Sequence, residues 1–144
     1  MSDLLNSYQR NALTVALRAF EEQLHQFAEW MRKDEETGIL YCRRLVLSEE
    51  KRASIQSQVA EAIEHIGRLT ARFDLRPQEE DATAMLRAGA SVCWATLCDV
   101  RADKLKRYGQ IDPRLTSALD PDIEALIDLS LSLASKLANN SNDQ

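Results

Sequence analysis

At 144 residues, the chain has the length of one domain and can bury a core without help from disulfides or metals. Hydrophobic residues at 44%, charged residues at 28%, and only four Gly and three Pro exclude a disordered, collagen-like or turn-rich β chain. Eighteen basic residues against 23 acidic ones give a net charge of −5, so no positive excess marks a nucleic-acid binder.

The N-terminal stretch MSDLLNSYQRNALTVALRAF lacks the basic-then-apolar order of a secretory signal. Arg10, Arg18, Glu21 and Glu22 interrupt every window that would span a bilayer. The spacing of Leu13, Leu17, Phe20, Leu24, Phe27 and Met31 predicts a first helix over residues 3–35, with Tyr8, Ala12, Val15 and Ala19 as a second stripe. Gly38 ends this segment, and Ile39–Leu47 reads as an extended connector crossing the end of a bundle. Ser48 before Glu49 and Glu50 caps a second helix over 49–73. Its seam is Ile55, Val59, Ala62, Ile66, Leu69 and Phe73.

Pro77 opens and Gly109 closes a third helical stretch over 77–107, with Ala82, Met85, Leu86, Val92, Cys93, Leu97 and Val100 inward. Asp112-Pro113 and Asp120-Pro121 each put an N-cap acceptor before a residue preset for the first helical turn. They predict a short turn over 113–119 and a fourth helix over 121–138. The fold expected is all-α, an up-down four-helix bundle with a short extra helical turn before the last helix. Residues 1–138 form its single domain, and 139–144 are a polar, flexible tail. Gly67 in the second helix and Gly89 in the third fall among small residues, and close packing of those two helices on each other is expected to offset their cost.

The cysteines are Cys42, Cys93 and Cys98, an odd number with no CxxC, and Cys93 and Cys98 point to different sides of one helix. They read as buried free thiols of a reducing compartment, and the expected location is cytoplasmic. His25 shares a helix face with Glu21 and Glu29, as metal ligands would, and His65 has Glu61 and Glu64 near it, but these residues fall on the polar stripes and read as a solvated charged face. The carboxylate-bridged di-iron pattern needs Glu-x-x-His twice, and neither helix supplies it. No zinc spacing and no phosphate-cradling Gly loop is present. No cofactor is expected.

Arg18 and His25, with six residues between them, resemble the Arg-x4–6-His signature of HEPN ribonucleases, which are also small helical bundles. The resemblance covers those two residues. It departs from the family in placing the motif on the first helix and in having Ala19, not a polar residue, after the Arg. It implies a small helical-bundle enzyme or ligand-binding protein using Arg18, His25, Glu21 and Glu29.

Charge and apolar placement point elsewhere. One bundle end gathers Arg43, Arg44, Arg101, Lys104, Arg107 and Tyr108, with acidic residues in balance. Such an end suits a protein partner and not nucleic acid. Helix 4 carries two leucine-rich stripes and helix 1 two apolar ones, while a bundle core absorbs one from each. Leu13, Val15 and Leu17 with Leu129, Leu131 and Leu133 are therefore expected to join two copies in a homodimer. The function expected is a non-enzymatic interaction module, a scaffold, adaptor or regulatory subunit, with no nucleic-acid or membrane partner.

Overall fold

The computed structural model describes residues 4–139. Apart from Asn139 at the end of the last helix, the expected tail lies outside the described residues. The fold is all-α, with five α-helices and two three-residue strands among the described residues. The chain divides into two compact units, Met1–Gln78 and Glu79–Gln144.

In the first unit, helix α1 (Ser7–Lys33) begins at a capping box. The Asn6 side chain accepts from the Gln9 N–H at 2.8 Å, and the Gln9 side chain accepts from the Asn6 N–H at 2.9 Å. The helix stops at Asp34, whose φ of 62° is left-handed and cannot continue it. Two strands follow, β1 (Glu35–Thr37) and β2 (Cys42–Arg44), paired antiparallel with Glu35 opposite Arg44 and Glu36 opposite Arg43. The extended connector expected at 39–47 is thus a hairpin, and it starts inside what read as the end of the first helix. Acids on one strand facing arginines on the other favour this register. Helix α2 (Glu49–Arg72) begins where expected, with the Ser48 hydroxyl accepting from the Lys51 N–H at 3.2 Å.

Two arginines close this unit at its two ends. Arg52, in the first turn of α2, donates to the Met31 carbonyl at 2.9 Å and pairs with Asp34. Arg10, in the first turn of α1, donates to the Phe73 carbonyl just past α2 at 3.3 Å. Each helix start therefore satisfies carbonyls left open at the other's end, which fixes α1 and α2 as an antiparallel pair. Their seam holds Val59, Leu24 and Met31 buried, with Ile55, Ala62, Ile66, Leu69 and Phe73 half-buried.

In the second unit, helix α3 (Ala82–Cys98) starts later than Pro77, because Asp81 is the cap and accepts from the Thr83 N–H at 2.9 Å. It also ends earlier, and helix α4 (Ala102–Leu105) runs into a 3-10 turn at Lys106–Tyr108. Gly109, at φ 148°, ends that turn in a conformation other residues avoid. Helix α5 (Leu115–Asn139) runs unbroken through Pro121. The turn expected at 113–119 is mostly the start of α5, and Asp120 does not cap its own helix. Its Oδ1 accepts instead from the Ala102 N–H at 2.9 Å, so it caps α4, and Ala102 is wholly buried.

Arg101 Nε lies 2.6 Å from Glu124 Oε1, an ion contact without hydrogen-bond alignment. These contacts join the end of α3 to the start of α5, and the two pack as a second antiparallel hairpin. Ile123, Ile127 and Ser130 are buried in its seam, while Thr83, Ala90, Leu97 and Cys98 on the α3 side are half-buried.

Candidate functional site

No residue of α3 is fully buried. Met85, Leu86, Val92 and Cys93, expected inward, are exposed, Met85 by 69% and Val92 by 65%. With one charged residue, Arg87, in 17, the helix is apolar nearly all round, and its periodicity carries no phase. On α5, Leu126, Leu129, Leu131 and Leu133 are exposed. At about 100° per residue, Leu126, Leu129 and Leu133 share one flank of the hairpin and Leu131 lies on the other. In the first unit, Leu13 and Leu17 are half-buried toward the seam, and Val15 points away from it, half-exposed. The six residues expected in self-association are thus on separate surfaces: one pair in a seam, one pair on a shared flank, and Val15 and Leu131 elsewhere.

The residues expected to meet a partner also divide. Arg43 and Arg44 are on β2, where Arg43 lies 3.5 Å from Glu36 and Arg44 lies 3.5 Å from Glu35. Glu36 accepts from Lys33 at 2.7 Å and from the Tyr41 hydroxyl at 3.1 Å, and both contacts hold its carboxyl below the ordinary range. Glu35 is lowered too, chiefly by the Cys42 thiol that donates to it at 3.3 Å. The hairpin stem is therefore charge-neutralised across its strands. Arg101, Lys104, Arg107 and Tyr108 belong to the second unit. Arg101 is committed to Glu124, Arg107 donates to the Lys104 carbonyl at 3.2 Å, and the Tyr108 ring is exposed.

Sequence reasoning passed over the tip of the β hairpin. Ile39 and Leu40 are 101% and 96% exposed, side by side at its apex, with Tyr41 on the shoulder. Turn positions favour Gly, Asn or Asp, so two aliphatic residues there were the available signal. Tyr41 lies over Gly38, where a Cβ would come 2.5 Å from its ring, and only glycine leaves the ring that place.

Arg18 lines a groove of about 310 Å³ with Thr14, Glu21, Thr70, Arg76 and Gln78. Its guanidinium donates to Glu22 at 3.2 Å and to Gln78 at 3.1 Å, and His25 is not part of the lining. His25, Glu21 and Glu29 are exposed on α1, and no group of three or more His, Cys, Asp or Glu is placed to hold a metal among the described residues. No described helix is long and apolar enough to cross a membrane. Compared with known families, curated proteins and solved structures, the chain matches none of them.

Proposed function

We propose that the chain is a non-enzymatic interaction module, a scaffold, adaptor or regulatory subunit, which works in the cytoplasm as a helical-bundle homodimer and binds another protein. The observation that carries this reading is the amount of large apolar surface each hairpin leaves in water after filling its own seam. The β-hairpin tip supports a heterotypic contact: burying Ile39 and Leu40 in a partner's pocket yields about 1.5–3 kcal/mol for each. In the second unit, the exposed charges at Lys104 and Arg107, beside Tyr108, suit the polar rim of a separate protein contact.

Affinity capture from native lysate with paired baits tests the reading. A protein retained by the wild type and lost with Ile39→Ser plus Leu40→Ser, or with Lys104→Glu plus Arg107→Glu, supports it. Salt-sensitive, sequence-independent binding of nucleic acid by the wild type would sink it.

A further inference from the structure

One flank of the α3–α5 hairpin is apolar along its length, and the other is not. Relative to the seam, Leu86, Gly89 and Cys93 on α3 and Leu126, Leu129 and Leu133 on α5 lie roughly 60–120° round to the same side. The opposite flank is mixed, with Glu124, Asp128 and Ser135 beside Leu131 on α5 and Ser91 between Ala84 and Ala95 on α3. On the apolar side, α5 raises a row of leucines, while Gly89 and Cys93 keep the α3 half low. A Cβ at Gly89 would meet no atom within 4 Å.

The α5 row has a sequence symmetry. Asp122, Leu126, Leu129, Leu133 and Lys136 follow one another at steps of four, three, four and three, with opposite charges at the two ends and Leu129 at the centre. Asp122 and Lys136 are exposed, and neither has an ion-pair partner among the described residues.

We propose that this flank is where two copies of the chain meet, α5 lying antiparallel on α5 of the partner about a two-fold axis at Leu129. An antiparallel pairing centred there sets Asp122 of each copy against Lys136 of the other. A parallel pairing sets like charges together at both ends, and is disfavoured. On this flank Leu86, Leu126, Leu129 and Leu133 are 55%, 46%, 59% and 58% exposed, a run of large apolar side chains of the kind that a second protein surface covers. Because one surface meets itself, a two-fold closes the assembly and leaves no further copy to add. The proposal rests on the homodimer reading above, and moves its interface from the first and last helices to α3 and α5.

Sedimentation equilibrium of the full chain at micromolar concentration, with circular dichroism to confirm helicity, tests it. The wild type should be a dimer, and Leu129→Asp should raise its dissociation constant about thirtyfold or more. Lys136→Asp alone and Asp122→Lys alone should each weaken it by roughly tenfold, since each creates two like-charge contacts per dimer. The double swap, Asp122→Lys with Lys136→Asp, should restore the wild-type constant, which a merely local effect on α5 would not do. A dimer indifferent to Leu129→Asp and to both charge reversals would overturn this interface while leaving self-association standing. A wild type that sediments as a monomer would overturn both.

Discussion

Arg52 and Asp120 do work that neither residue's neighbours in the chain announce. Arg52 caps α1 from the start of α2 with its side chain only 14% exposed, so water screens the contact little. Arg52→Ala should lower stability by about 2 kcal/mol, read as a shifted urea midpoint at unchanged slope. Arg10→Ala, which removes a longer bond at the other end, should cost about 1 kcal/mol. Asp120→Ala leaves the Ala102 N–H without its acceptor in a wholly buried place, and should cost about 1–3 kcal/mol. Asp120→Asn keeps the acceptor, so hydrogen exchange at the Ala102 amide should stay slow in it and quicken in the alanine variant. An Asp-Pro pair reads the same whether the carboxylate caps its own helix or another's, which is why the cap was legible and its target was not. Asp112, with the same pair, does accept locally, from the Arg114 N–H at 2.8 Å.

Among the elements, α2 was the most legible, because its polar residues leave one apolar stripe dominant, with Ile63 off it and exposed, and all six seam residues turn inward. Helix α5 was half-legible: Ile123 and Ile127 are buried, but Ser130 takes the next seam position while leucines stand in water. Leucine on several sides of a helix removes the contrast that fixes its phase. The β hairpin was missed because three-residue strands are too short for an alternating pattern, though Glu35-Glu36 and Arg43-Arg44 around Gly38 carry complementary charge. That charge has a pH consequence. Glu35 and Glu36 have folded pKa values below their ordinary range, so their contribution is complete above about pH 5 and is lost as pH falls through the lower, folded values. Amide shifts of Thr37 and Cys42 should therefore move toward random-coil values below about pH 4, while those of the α2 seam hold. Glu35→Gln and Glu36→Gln together should abolish that titration.

At the scale of the whole molecule, the two helical glycines separate what the chain needs alone from what its assembly needs. Gly67 lies inside α2 and Gly89 inside α3, and a Cβ at either would meet open space, so no neighbouring atom in the structure requires a glycine at these positions. Glycine in a helix interior costs about 0.8–1 kcal/mol against alanine. Gly67→Ala should recover that amount whatever the protein concentration, because its position has no part in the α3–α5 flank. Gly89→Ala should recover the same amount in dilute solution, where single chains unfold. At high concentration the added methyl stands where the partner's layer approaches, and part of the gain should be lost to weaker dimerisation. Thermal midpoints measured across a hundredfold range of concentration should thus run parallel to the wild type for Gly67→Ala. For Gly89→Ala they should converge on the wild type as concentration rises. Parallel lines for both variants would mean that the flank around Gly89 stays open in the assembled protein.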